Sequence, residues 1–166
     1  MLGQPVLIES GGGQAGVLTD YVLDPARGQI GAWQVGQGRH KRYLVPHDIR
    51  FVLDDGVVIS NREVLTEAGD LSRLRDAIKH PIRLQKLRAV TENSAKLGRV
   101  GDVLLDTMSW QIVRLQVRPP WWRRLAIAEL NVGRDQIIRI ERRRVVVRYD
   151  TKAPILDEVP TQEPAA

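Results

Sequence analysis

The chain of 166 residues contains no cysteine. This absence excludes disulfides and thiolate metal sites, and it is typical of a reducing compartment. No segment approaches the roughly 18 consecutive apolar residues of a membrane-spanning helix. The N-terminus also lacks a basic stretch leading into an apolar run. We therefore expect a cytoplasmic protein, and a peripheral contact with a membrane surface stays open.

Residue types that carry chemistry are scarce. Histidine occurs only at 40, 47 and 80, without paired spacing or a carboxylate cluster of metal-site form. No serine lies in a nucleophile-elbow context. Gly11-Gly12-Gly13 lacks the Lys-Ser/Thr of a phosphate-binding loop and is better explained as a hairpin turn. We expect no metal, no cofactor and no catalytic residue, and hence no enzyme.

Positive charge is concentrated in one part of the chain. Residues 1–80 carry 9 Lys/Arg and 10 Asp/Glu, whereas residues 81–150 carry 15 and 7. Residues 151–166 carry 1 and 3. A basic half of this kind suits an acidic partner, which could be nucleic acid, an anionic membrane surface or an acidic protein face.

The sequence contains an internal repeat. Residues 16–24 match residues 98–106 at an offset of 82, with the glycine, both aspartates and the apolar positions in register. The same offset places Ile8 on Val90, Ile30 on Ile112, Trp33 on Leu115 and Val35 on Val117. Residues 49–59 then match 137–147 at an offset of 88, which indicates about six extra residues between Arg118 and Arg134. A collinear series of matches with one insertion indicates a duplication.

Alternating apolar residues within each copy predict short β-strands. In the first copy, strands are expected near residues 4–9, 15–23, 29–36, 42–46, 48–53 and 57–60. The repeated aspartates at 20/102 and 24/106 lie beside turns, where Asp commonly caps backbone amides, so a catalytic role for them is not favoured. Strands of this length and spacing predict a sandwich or a small barrel.

The segment between the copies has a helical pattern. Apolar residues recur every three or four positions from Val64 to Ile78, and Pro81 ends the run. We expect one or two helical turns or one helix, located where the two barrels meet. The fold class is therefore mainly β, with two small barrels joined by a short helical linker. The predicted divisions are 1–61 (first barrel), 62–85 (linker), 86–150 (second barrel) and 151–166 (disordered tail).

The segment Lys96–Asp106, preceded by Val90–Asn93, resembles the opening of a PRC-barrel domain. This superfamily includes the photosynthetic reaction-centre H subunit and the ribosome-maturation factor. The first copy resembles it through Gly16, Asp20, Leu23-Asp24-Pro25, Gly28, Val45–Ile49 and Val57–Ile59, so that the likeness covers residues 3–60 and 86–149. The second copy has no Val-Pro-x-x-Ile element, and we expect its fourth and fifth strands to be remodelled. The resemblance implies a compact β-barrel for protein or ribonucleoprotein contacts, without a shared catalytic site.

Two features distinguish the second copy. Its insertion reads Arg118-Pro119-Pro120-Trp121-Trp122-Arg123-Arg124, and adjacent tryptophans cannot both point inward on a regular strand. Two interpretations of this insertion remain: it forms a contact site for a partner, or it forms a lid over its own barrel. Arg142-Arg143-Arg144 replaces the turn Asp54-Asp55-Gly56, with Arg139 and Arg148 nearby, and a solvated turn is the alternative to a binding site.

These features predict a non-enzymatic adaptor. It would contact another protein, at a membrane surface or on a ribonucleoprotein, through its basic second barrel; the alternative is direct RNA binding by that barrel. Trp and Arg are frequent anchors of interfaces. The expected partner-binding residues are Arg118, Trp121, Trp122, Arg123, Arg124, Arg139, Arg142, Arg143 and Arg144.

Overall fold

A computed structural model describes residues 1–37, 40–120 and 129–149, and the predicted disordered tail lies outside these ranges. The first half forms a six-stranded sheet in the order β4-β3-β2-β1-β6-β5. Its strands are β1 (Pro5–Ile8), β2 (Gln14–Asp24), β3 (Gln29–Gln37), β4 (His40–Leu44), β5 (Ile49–Leu53) and β6 (Gly56–Ile59). The expected strand positions are confirmed to within about two residues.

The second half forms another six-stranded sheet, in the order β10-β9-β8-β7-β12-β11. Its strands are β7 (Arg88–Thr91), β8 (Lys96–Leu105), β9 (Ile112–Arg118), β10 (Leu130–Gly133), β11 (Ile137–Ile140) and β12 (Arg144–Val147). In each half the first and sixth strands pair in parallel, and the other pairs are antiparallel. The expected common topology is confirmed. Among the described strand pairs, none closes either sheet into a barrel.

The pairing registers correct one part of the repeat alignment. Val6 lies opposite Gly16 of β2, and in the second half Ala89 lies opposite Gly98. Val6 therefore corresponds to Ala89, at an offset of 83. The expected match of Ile8 with Val90 is therefore wrong by one residue. The cause is the turn after the first strand, which is one residue shorter in the second half.

The fourth and fifth strands of the second half follow the same plan as those of the first half. A 3-10 turn joins them in both halves, at Pro46–Asp48 and at Arg134–Gln136. In the second half, the backbone N–H of Gly133 donates to the side-chain oxygen of Gln136 at 2.8 Å, which fixes the turn without proline. The expectation of remodelled strands is wrong. The insertion lies between β9 and β10, as expected.

One apolar core includes buried residues of both halves. At their junction, the rings of Trp33 and Trp110 meet edge to face with centroids 5.3 Å apart. The backbone continues the contact, since Ile30 N donates to Trp110 O at 2.9 Å and Ile112 N donates to Gly28 O at 2.9 Å. The two sheets therefore share their interior instead of forming separate cores.

The linker contains one short helix, α1 (Arg75–Lys79), which follows a 3-10 turn at Ser72–Leu74. Leu74 packs with Val22, Ala32 and Tyr43 of the first sheet in a cluster separate from the main core. The helix therefore lies against the first half, and the expectation that it occupies the junction is wrong. The residues that join the shared core come later, at Ile82, Leu84 and Leu87.

A polar contact fastens the end of the linker to the first half. The guanidinium of Arg83 donates through two nitrogens to both carboxylate oxygens of Asp20. The backbone N–H of Leu84 donates to the hydroxyl of Tyr21 at 2.9 Å. Burial raises the pKa of the Tyr21 hydroxyl, and the hydrogen bond from Leu84 N–H and the charge of Arg83 oppose this shift. The linker is therefore a packed part of the fold.

Candidate anion-binding face

Four arginines lie side by side across four adjacent strands of the second sheet. Arg144 of β12 is opposite Arg88 of β7, and Arg88 is opposite Arg99 of β8. Arg99 is in turn opposite Arg118 of β9, and all four residues are exposed. Directly opposed residues share one face of a sheet, and strands are about 4.8 Å apart, so this arginine row spans about 14 Å.

The first half has no charge at the corresponding positions. There, Pro5 is opposite Val17, and Val17 is opposite Gly36. Gly56 takes the place of Arg144, next to Pro5. The arginine row is therefore a property of the second half and not of the repeated fold.

One end of the row is neutralised within the chain. Arg118 Nη2 lies 3.1 Å from Asp102 Oδ2, and Arg118 Nε lies 3.2 Å from Glu129 Oε1. The side chain extends over Gly101, because a Cβ built there would lie 2.6 Å from Arg118 Nε. Arg118 therefore has acidic neighbours on both sides.

The other end is neutralised by Glu141. Its Oε2 accepts from Arg144 Nε at 2.6 Å, and its Oε1 accepts from Arg139 Nε at 2.7 Å. Hydrogen bonds from Arg144 and then from Arg139 lower the pKa of Glu141, and the same bond raises the pKa of Arg144. Glu141 therefore compensates the charges of Arg139 and Arg144 within the chain.

The two remaining arginines of the turn, Arg142 and Arg143, differ in their contacts. Arg142 Nη2 lies 3.3 Å from Nδ1 of His80, which belongs to the linker. Arg143 has no acidic partner in the part of the chain that the structure describes, and its backbone oxygen accepts from Arg88 N at 3.2 Å. The turn thus places its backbone beside the centre of the arginine row.

The centre of the row carries uncompensated charge. Within residues 1–37, 40–120 and 129–149, no carboxylate lies at ion-pair distance from Arg88 or Arg99. Lys96, also exposed and without an acidic partner in those ranges, lies nearby. An open groove of about 790 Å³ includes all three cations, and its described lining is Gln85, Arg88, Lys96, Gly98, Arg99, Val100, Gly101, Arg118, Pro119 and Pro120.

The structure brings together only some of the predicted site residues. Arg118 and Arg144 are the ends of the row, and Arg139, Arg142 and Arg143 lie at or beside its Arg144 end. Trp121, Trp122, Arg123 and Arg124 lie outside the described residues, so their contact role stays a prediction.

Arg88, Lys96 and Arg99 were not among the residues predicted for the site. A signal was present, because these residues fall on predicted strands of the basic half. Finding them needed the pairing registers of four strands whose row residues are separated by 11 to 26 positions along the chain.

The repeated aspartates have structural roles. Asp106 accepts from the backbone N–H groups of Met108 and Ser109 at 3.1 and 3.2 Å, and hydrogen bonding from Ser109 and Met108 lowers its pKa. Asp24 accepts from Arg27 N at 3.3 Å. These contacts confirm the expected caps. Asp20 also accepts from the backbone N–H of Tyr21 at 2.8 Å. Asp20 and Asp102 in addition form ion pairs, with Arg83 and Arg118 respectively.

Within the described ranges, no group of three or more His, Cys, Asp or Glu side chains could hold a metal ion. No helix of the described residues has the length and apolar character needed to cross a bilayer. The sequence matches no family model and no curated protein.

Proposed function

We propose that this chain is a non-enzymatic adaptor that binds an acidic surface of another protein through the centre of its arginine row. In this proposal, each half is a PRC-type barrel, and the protein acts in the cytoplasm. The observation that carries it is the opposition of Arg88 and Arg99, two exposed like charges without an acidic neighbour in the described part of the chain.

Folding gives no reason for this arrangement. Like charges directly opposite on adjacent strands destabilise a sheet. The first half builds the same strand pair with Pro5 and Val17 and needs no charge there. A bound anion would neutralise both guanidinium groups, and arginine is suited to this task because its planar group can donate two parallel hydrogen bonds to a carboxylate.

The distribution of acids around the row favours a protein over a nucleic acid. Asp102 and Glu129 lie at the Arg118 end, and Glu141 lies at the Arg144 end. A continuous phosphate backbone following the row would meet these carboxylates and be repelled. A discrete acidic patch with basic residues around it fits this alternation of charge. Direct RNA binding is therefore the second candidate.

The experiment compares the intact chain with Arg88→Glu/Arg99→Glu as immobilised bait in a native lysate. Arg114→Glu is the matched control, because Arg114 is an exposed arginine of the same sheet that lies outside the row. We expect the double variant to lose partners that the parent and Arg114→Glu retain, with or without nuclease. Equal recovery by all three baits would refute the proposed site.

Nuclease and salt distinguish the two candidate functions. A protein captured through a discrete patch should remain bound after nuclease treatment. RNA binding predicts loss of the captured material after nuclease, with affinity that falls steeply as salt rises because counterions are released. That result would replace the adaptor proposal by the RNA-binding one.

A further inference from the structure

The edge strand β5 of the first sheet is apolar and exposed. Phe51, Val52 and Leu53 have 55%, 38% and 44% of their surface accessible. One side of β5 pairs with β6, and its other side has no backbone partner among the described residues. An exposed apolar edge of this kind is a template for pairing with another strand.

The second half protects the equivalent edge. At the offset of 88, Phe51 corresponds to Arg139 and Leu53 to Glu141. Those two side chains form an ion pair beside the edge strand β11. Charged side chains are a common means of preventing edge-to-edge association. The two halves share a topology, so this protection is compatible with the fold and is missing from the first half.

The segment Arg50–Asp54, which comprises most of β5 and the first residue of the turn after it, is complementary to itself in the antiparallel direction. With Val52 opposite Val52 of a second copy, Phe51 lies opposite Leu53, and Arg50 lies opposite Asp54 at both ends. Directly opposite residues share a face, so the apolar pairs and the ion pairs would form together. Among the described residues, Arg50 forms an ion pair only with Glu9, at 3.5 Å and exposed on both sides, which is weak enough to exchange.

We propose that two copies of this chain associate through β5, edge to edge and antiparallel about Val52. The contact is two-fold symmetric, and it joins the two first-half sheets into one continuous sheet of twelve strands. The proposal does not depend on the arginine row, which lies on the other half. Because one strand pair buries little area, the dimer is weak and depends on concentration.

Charge reversal tests the register directly. The apparent mass of the full chain is measured by sedimentation equilibrium over about a hundred-fold range of concentration. Arg50→Glu faces Asp54 with a like charge at both ends, and Asp54→Arg does the same with Arg50. Each single variant should associate at least about tenfold more weakly than the parent.

Restoring opposite charges at positions 50 and 54 gives the decisive result. The double variant Arg50→Glu/Asp54→Arg recreates opposite charges and should dimerise like the parent. An equimolar mixture of the two single variants should form a heterodimer, because every Arg50–Asp54 position then carries opposite charges. Arg114→Glu is the control for a change of net charge and should dimerise normally.

Apolar variants test the edge itself. Phe51→Lys/Leu53→Lys should abolish dimerisation, with a thermal melt like that of the monomeric parent because both side chains are exposed. A parent that stays monomeric at every concentration overturns the proposal. A double charge reversal that fails to restore the dimer, or a dimer that survives the two lysines, overturns it as well.

Discussion

Trp33 and Trp110 lie edge to face at an angle of 75°, and each comes from a different half of the chain. Trp33 is 2% exposed and Trp110 3%. Trp110 stands in a turn with a positive φ of 60°, held by the backbone bond from Trp110 N to Asp106 O at 2.7 Å. The second half thus uses a strained turn to insert a ring against the first half.

The tryptophan pair should make the two halves unfold together. Trp33→Ala and Trp110→Ala should each cost about 3–5 kcal/mol, and a double-mutant cycle should give a coupling of about 0.5–1.5 kcal/mol. Urea unfolding followed by circular dichroism measures both quantities. Met108→Ala is the control, since Met108 is 90% exposed in the same turn. Two separate transitions in the parent would contradict a shared core.

Equivalent glycines at the second strands of the two halves should be equally intolerant of substitution. Gly16 has φ of 155° and Gly98 has φ of 154°, and an added Cβ would lie 2.6 Å from Gly36 O and 2.1 Å from Arg118 O respectively. Either glycine replaced by Ala should cost about 3 kcal/mol or more, because backbone must move. Gly69→Ala meets no atom within 4 Å and should be nearly neutral in the same melts. A mild effect at Gly98 would mean that the backbone at Arg118 can move away from the added Cβ.

Alkaline pH should destabilise the protein through Tyr21, which is partly buried, and Tyr43, which is buried. Burial raises the pKa of Tyr21 and of Tyr43 above the ordinary value of 10.0. The folded chain then keeps these protons to higher pH than the unfolded chain, so stability is full below pH 10.0 and falls as pH rises through the folded pKa values. Urea unfolding at a series of pH values should show a shallower fall for Tyr21→Phe/Tyr43→Phe. Identical slopes would be inconsistent with this linkage.

The arginine row should cost stability in the isolated chain. Arg99→Glu places a carboxylate between Arg88 and Arg118, and it should stabilise the protein by about 0.2–1 kcal/mol while weakening partner capture. Thermal melts at low and high salt measure the first effect, which screening should reduce. Arg114→Glu should leave stability unchanged. A loss of stability on Arg99→Glu would mean that the row serves folding.

The fold was predictable from local patterns to a large degree. Alternating apolar residues and turn glycines located the strands, and the offset of 82 located the second copy. The position of the helix was predicted wrongly, because its apolar stripe indicates that one face is buried but does not indicate which surface that face packs against. Leu74 packs on Val22 and Ala32 of the first sheet, a choice made by tertiary packing.

The candidate site was less predictable because it depends on register. Residues 88, 99, 118 and 144 become neighbours only through three strand pairings, and a one-residue slip in one strand would separate them. The neutralisation of arginine charges by nearby carboxylates was equally impossible to predict from the sequence. Glu141 is one acid next to three arginines in the sequence, and only the structure shows that its carboxylate reaches both Arg139 and Arg144.

The parallel pairing of β1 with β6 sets the order in which a growing chain can fold. β1 is made before β6, its second neighbour, which is complete only at Ile59, so the first sheet must wait for about fifty residues of synthesis after β1. The second sheet repeats this delay, because β7 waits for β12. Until Trp110 is made, Trp33 lacks the ring that covers it in the complete chain. A nascent chain therefore carries an apolar surface for the time needed to translate its second half, and that interval is when chaperone binding has most effect.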